Sequence, residues 1–297
     1  MINFEKLYWD CITIKNYFAL SKKVKNIPMR IIYDSQKMID IDIYGDLKTA
    51  KKIVLLSHTG TTGSEGVPNK YLAEQFYLEG YVVVAFNSPG YRNIITGEPF
   101  TGEKNSMAKL SAIIDNILDF IREENKTAPI IASAFSAGGI FLINHFTQND
   151  RNIAGLVIHS AFYSEECMYG DPSYFLIFPV FDLQALYIKN FILSGNYKNI
   201  LKLFKAGFDL RFLYKINNNE DFCVVQCENT TNVPIVALHC KHDTFLSIKS
   251  AREFFKNMNS PYAKLIEFSG VGHSLTDEVI KTFIEQSDKL CDNWLVK

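Results

Sequence analysis

Ser136 stands in Ala134-Phe135-Ser136-Ala137-Gly138-Gly139, where the apolar run PIIASAF gives way to a helical pattern. A serine hydroxyl is a weak nucleophile at neutral pH. It needs a base, a group that orients the base, and donors for the oxyanion that develops on the substrate. A nucleophile held on a sharp strand-to-helix turn also needs small neighbours two residues before and after it, and Ala134 and Gly138 occupy those places. Candidates for the other two groups come later in the chain. Asp243 follows the run PIVALHC in His239-Cys240-Lys241-His242-Asp243, and His273 follows AKLIEF in Ser269-Gly270-Val271-Gly272-His273-Ser274. All three thus sit just past runs that read as buried strands, at the carboxyl ends where open α/β sheets place their ligands.

The elements that must position them follow a regular rhythm. Unbroken apolar runs (KIVLLSH, YVVVAFN, PIIASAF, GLVIHS, PIVALHC and AKLIEFS) alternate with helical stretches (NKYLAEQFYLEG, SMAKLSAIIDNILDFIREEN, FLINHF, IKSAREFFKNM and a last one from Thr276 to Leu290). Strands buried on both faces lose the polar/apolar alternation, whereas helices show apolar residues three and four apart, as at Leu110, Ile113, Ile114, Ile117, Leu118 and Ile121. Such alternation predicts a mostly parallel central sheet flanked by helices. Ahead of it, MRIIYD (29–34) and MIDIDIYG (38–45) read as an antiparallel hairpin.

One stretch breaks the rhythm. From about Phe162 to Asn232 the chain is rich in aromatics, among them Tyr174, Phe175, Phe178, Phe181, Phe204 and Phe208, and has no clear strand. A structureless insert of that length does not suit a compact domain, so a helical cap is expected. The expected organisation is an N-terminal extension (1–27), a core formed by 28–162 and 233–297, and a cap or lid at 163–232.

These segments together resemble the α/β-hydrolase superfamily over most of the chain. AFSAG resembles the family's G-x-S-x-G with Ala134 for the first glycine, and PIVALHCKHD its strand and acid turn with Cys240 where glycine is common. FSGVGHS resembles its histidine loop, and AFNSPGYRN its D-x-P-G-x-G loop with Asn87 for the aspartate. The chain order Ser, Asp, His is also that family's order. The resemblance implies an α/β-hydrolase fold with an inserted cap. It implies Ser136 as nucleophile, His273 as general base and then acid, and Asp243 as the group that orients the imidazole. The oxyanion hole is then expected from the backbone N–H of Ala137 and one from the loop His58-Thr59-Gly60-Thr61-Thr62-Gly63-Ser64, at Gly60 or Thr61. That loop is similar to H-G-x-x-G-S with its glycine displaced by one residue. Glu165 and Glu166, just past GLVIHS, are alternative positions for the acid.

The expected activity is a serine hydrolase cleaving an ester or thioester that carries a sizeable apolar group, free or bound to a carrier. The same triad could transfer the acyl group to another acceptor or cleave a C–C bond. A rival of a different class is a non-catalytic protein that binds a small molecule on this scaffold.

Other readings of the same residues are weaker. His239 and His242, beside Asp243, stand three residues apart on a strand-to-turn segment instead of at the four-residue helical spacing of a metal-binding helix, and Cys223 and Cys227 lack a second ligand pair, so no metal is expected. Gly60, Gly63 and Gly66 run G-x-x-G-x-x-G, and the next strand ends in Asn87 instead of an acid, against a dinucleotide loop. No cofactor is expected. A net charge of −1 without a basic stripe argues against nucleic acid, and no apolar run approaches the length of a membrane span. Six scattered cysteines and an N-terminus interrupted by Glu5, Lys6, Asp10 and Lys15 point to a cytoplasmic protein.

Overall fold

The computed structural model describes residues 24–34, 37–57, 67–87, 107–136, 138–149, 152–161, 232–243, 246–258, 262–269 and 275–295. Eight strands form one sheet: β1 (Ile27–Asp34), β2 (Lys37–Tyr44), β3 (Ile53–Ser57), β4 (Val82–Phe86), β5 (Ile130–Phe135), β6 (Gly155–His159), β7 (Ile235–Cys240) and β8 (Ala263–Phe268). The strand order is β1-β2-β4-β3-β5-β6-β7-β8. The β1–β2 hairpin is antiparallel, β2 runs antiparallel to β4, and every later pairing is parallel. Strand β1 begins at Ile27, one residue inside the segment expected as an extension.

Among the described residues the α-helices are α1 (Val67–Leu78), α2 (Met107–Glu124), α3 (Gly138–Gln148), α4 (Ile248–Asn257) and α5 (Asp277–Leu295), beside a short 3-10 turn at Leu47–Thr49. They cover both faces of the sheet, which is why β3 to β7 are buried along their whole length. On one face, Ile53, Leu55, Ile130, Ala132, Ala134, Leu156 and Ile158 pack with the apolar stripes of α2, α3 and α4. On the other, Val54, Leu56, Ile131, Phe135, Val157 and Leu238 pack with α1 and α5. Strand β8, at the sheet's edge, is only partly buried, so its run keeps Lys264 and Glu267.

The architecture is the α/β-hydrolase fold that the motifs implied. The last helix runs to Leu295, past the expected stop at Leu290, with Trp294 packed against the core. The expected cap at 163–232 lies outside the described residues.

This order sets a topological switch point. The chain leaves β3 for α1 on one face of the sheet and leaves the adjacent β5 for α3 on the other. Diverging connections at neighbouring strand ends open a gap at their carboxyl edge, the switch point at which doubly wound sheets bind ligands. Ser136 stands on that edge.

Candidate active site

Strand β5 is fully buried between β3 and β6, and Ser136 is the first residue beyond it. Its φ is +62°, in the left-handed region that residues other than glycine seldom occupy. A side chain there costs about 1–3 kcal/mol and persists only where the surroundings over-determine it. Two backbone hydrogen bonds do so. The N–H of Ser136 donates to the carbonyl of His159 at 2.9 Å, and the N–H of Gly139 donates to the carbonyl of Ser136 at 3.1 Å. The turn lifts Ser136 out of the sheet, so it is partly exposed while Phe135 before it is buried.

Helix α3 starts two residues later and has no acidic side chain in its first turn. The positive end of its dipole faces the serine, an arrangement that favours negative charge developing there.

The helix can begin so close to the sheet because of a small residue beyond those singled out from the sequence. A Cβ built on Gly139 would lie 2.4 Å from the Cβ of Ala161. Ala134 is fully buried in β5, consistent with its expected role, but the tightest approach is at Gly139. The consecutive glycines 138 and 139 were the available signal.

Asp243 closes a tight turn after β7, its N–H donating to the carbonyl of Cys240 at 3.1 Å. The carboxylate is buried, at 2% exposure, yet polar partners surround it. Oδ1 accepts the N–H of Leu246 at 2.9 Å, and Oδ2 lies 3.9 Å from Nε2 of His239. That nitrogen sits 3.1 Å from the carbonyl of Leu246, to which it donates. Leu246 is thus held through both its amide and its carbonyl, and the acid is fixed to the end of its strand. His239 serves this staple, whereas His242 is exposed. Among the described residues no group of three His, Cys, Asp or Glu side chains could hold a metal ion.

The strand order carries these residues to one edge. Ser136 follows β5, Asp243 follows β7, and β6 lies between them. Strand β8 runs beside β7, with the N–H of Lys241 donating to the carbonyl of Phe268 at 2.8 Å. His273 lies five positions past Phe268 in the sequence and outside the described residues. So do Ala137, Gly60 and Thr61 of the expected oxyanion hole, and Glu165 and Glu166. The strand that leads to the Gly60 loop is β3, whose last residue, Ser57, pairs with Ala134. Its carbonyl accepts the side-chain amide of Asn69 from α1 at 3.2 Å.

Comparison with known proteins adds the family. Residues 48–279 match the family model described as serine aminopeptidase, S33. Among solved structures, the chain is similar to an esterase of Pyrococcus furiosus, with a TM-score of 0.62 at 16% identity over 93% of each chain. It is similar to a monoglyceride lipase of Saccharomyces cerevisiae in complex with a substrate analogue, with a TM-score of 0.58 at 16% identity over 91% of this chain and 95% of the lipase. Est1E of Butyrivibrio proteoclasticus with ferulic acid bound gives a TM-score of 0.56 at 17% identity, over 91% of this chain and 100% of Est1E. At such identities these likenesses bear on the fold.

Proposed function

The chain belongs to the serine aminopeptidase S33 family of α/β-hydrolase enzymes, and on that premise we propose that it hydrolyses an ester or thioester with a sizeable apolar group through an acyl-Ser136 intermediate. The observation that carries this reading is the left-handed backbone of Ser136 at the switch point of the sheet, ahead of a helix N-terminus.

In this mechanism Ser136 Oγ attacks the substrate carbonyl carbon while its proton passes to His273. Asp243, fixed by Leu246, orients the imidazole and stabilises the imidazolium. The amide of Ala137 and one from Gly60 or Thr61 hold the oxyanion. Collapse of the tetrahedral intermediate breaks the bond to the alcohol or thiol, which leaves with the proton from His273. Water, deprotonated by the same histidine, then attacks the acyl-enzyme and releases the acid. No cofactor enters these steps.

Residues 163–232 form a helical cap over this edge in the proposal, and its aromatic side chains line an apolar acyl pocket. The substrate is a small acyl compound, free or attached to a carrier. Relatives of this fold include a lipase complexed with a substrate analogue and a protein holding ferulic acid, both compatible with such a pocket.

The test is a fluorophosphonate probe together with p-nitrophenyl esters of increasing chain length, acyl thioesters and aminoacyl amides. Ser136 should be the labelled residue, Ser136→Ala should abolish labelling and turnover, and longer acyl chains should raise kcat/KM. Labelling that persists in Ser136→Ala would overturn the nucleophile. Turnover confined to the amides would replace the ester by a peptide-like substrate, and acyl products formed only with added amines or alcohols would replace hydrolysis by transfer.

A further inference from the structure

The sequence assigns His159 no role beyond ending a strand, yet its surroundings link it to the nucleophile turn at three points. In the register of the sheet it stands between Phe135 of β5 and Leu238 of β7. Its carbonyl accepts the N–H of Ser136 at 2.9 Å. Its ring is fully buried and stacks on Phe135, with centroids 5.4 Å apart and planes at 13°, while the edge of Phe283 from α5 closes the other approach at 6.2 Å.

Both ring nitrogens lie at hydrogen-bond distance of polar groups. Nδ1 lies 3.0 Å from the carbonyl of Leu238, which can only accept, so Nδ1 carries the proton. Nε2 lies 3.3 Å from the hydroxyl of Ser160. Ser160 has a φ of +47°, so the only described residues other than glycine with positive φ are Ser136 and Ser160. The N–H of Ser160 donates to the same Leu238 carbonyl at 2.9 Å. Hydroxyl and amide together hold Ser160 in this conformation, and the next residue, Ala161, lies against Gly139 at the start of α3. Residues 159–161 therefore brace Ser136 and Gly139, and the imidazole is tied to this brace through Ser160.

A leucine would satisfy burial at this position with no polar groups to pair. An imidazole is retained at a place where both ring nitrogens must find partners, and those partners are the bend at Ser160 and the strand that leads to Asp243.

We propose that His159 is a positioning residue for catalysis, setting the Ser136 turn through its stack on Phe135, its carbonyl and its hydrogen bond to Ser160. The proposal rests on Ser136 being the nucleophile. His159→Phe keeps the stack and loses both ring hydrogen bonds, whereas His159→Asn keeps a side-chain N–H donor near the Leu238 carbonyl. Ser160→Ala removes only the hydroxyl.

The experiment measures thermal unfolding, kcat and KM on a p-nitrophenyl ester, and the second-order rate of fluorophosphonate labelling. In folded His159→Phe, kcat and the labelling rate should fall together by roughly 10- to 100-fold with KM changed less than about 3-fold, as expected for a displaced nucleophile. His159→Asn should recover part of the loss, and Ser160→Ala should show a smaller fall in the same two quantities. If His159→Phe does not fold, the other two variants decide, and unchanged labelling rates in both overturn the proposal. Equal labelling of wild type and folded His159→Phe overturns it while leaving the nucleophile assignment in place. Absence of labelling in the wild type removes that assignment and this proposal with it.

Discussion

Gly139 lies so close to Ala161 that a methyl group on the glycine would come within 2.4 Å of the alanine's Cβ and 3.4 Å of its Cα. The shorter contact is the clash, and because the Cβ of Ala161 has no torsion by which to turn aside, relief requires the first turn of α3 to move away from the residue that follows Ser160. Gly139→Ala should destabilise the protein by about 1–3 kcal/mol, the usual cost of overpacking. Labelling of Ser136 should slow as well, because the same turn carries the serine. Ala161→Gly, added to Gly139→Ala, removes the atom it meets and should restore much of both losses. Denaturant midpoints for the two single variants and the double variant measure this coupling.

Substitutions at Asp243 test the proposed catalytic role apart from stability. In Asp243→Asn the side-chain oxygen can still accept the N–H of Leu246, so the loop after β7 should keep its shape and the melting temperature should change little. The negative charge that would stabilise an imidazolium is gone, and kcat should fall by roughly 10³- to 10⁴-fold, the scale found when a triad acid is made neutral. Asp243→Ala should lower kcat similarly and the melting temperature as well, because it leaves the Leu246 amide without its acceptor inside the protein. Calorimetry beside steady-state kinetics checks both.

The elements that hold these residues were legible because burial on two faces leaves an unmistakable trace. IVLLS, VVVAF and IIASAF are strands in the structure at the positions their composition predicts. The relationships that shape the turn were not legible, because they join residues distant in sequence. His159 meets the Leu238 carbonyl across 79 positions, and Gly139 meets Ala161 through a helix and a strand. No local pattern encodes such pairs. Glu74, a charged residue type in the helical stretch NKYLAEQFYLEG, is completely buried in the structure, and no local pattern marks it. The serine and the acid of the expected triad stand at ends of the same sheet, whereas His273, Ala137, Gly60 and Thr61 lie outside the described residues.

Glu74 makes stability depend on pH. Its carboxyl oxygens are buried with no hydrogen-bond partner among the described residues, and burial pushes its pKa from 4.5 up to about 7, against the pull of Lys70 one turn away. Between those values the folded chain keeps a proton that the unfolded chain releases, so stability falls as pH rises from about 4.5 to 7 and stays at the lower level above. Glu74→Gln keeps the shape without the charge. Relative to wild type, its melting temperature should be nearly unchanged at pH 5 and several degrees higher at pH 8, a gain of about 1–3 kcal/mol. A difference that does not grow with pH would show that the wild-type carboxylate is relieved of its burial penalty.

A second set of serine, histidine and aspartate shows why backbone geometry, and not residue type, marks the site. Ser111 Oγ lies 2.7 Å from Nδ1 of His145, whose Nε2 lies 3.4 Å from Asp115. Ser111 and Asp115 occupy successive turns of α2, and His145 belongs to α3. Ser111 sits within a regular helix, whereas Ser136 stands on a left-handed turn at a strand end, the backbone geometry of a nucleophile elbow. The histidine instead ties α3, which begins at the Ser136 turn, to α2. Ser111→Ala should therefore leave fluorophosphonate labelling and turnover within about 2-fold of wild type, while lowering stability by about 1 kcal/mol for the lost hydrogen bond. His145→Phe keeps ring volume and removes both contacts, at a cost of about 1–3 kcal/mol for the polar groups it strands. Loss of labelling in Ser111→Ala with unchanged folding would move the nucleophile to α2, and chemical denaturation of the three proteins beside probe labelling reads both outcomes.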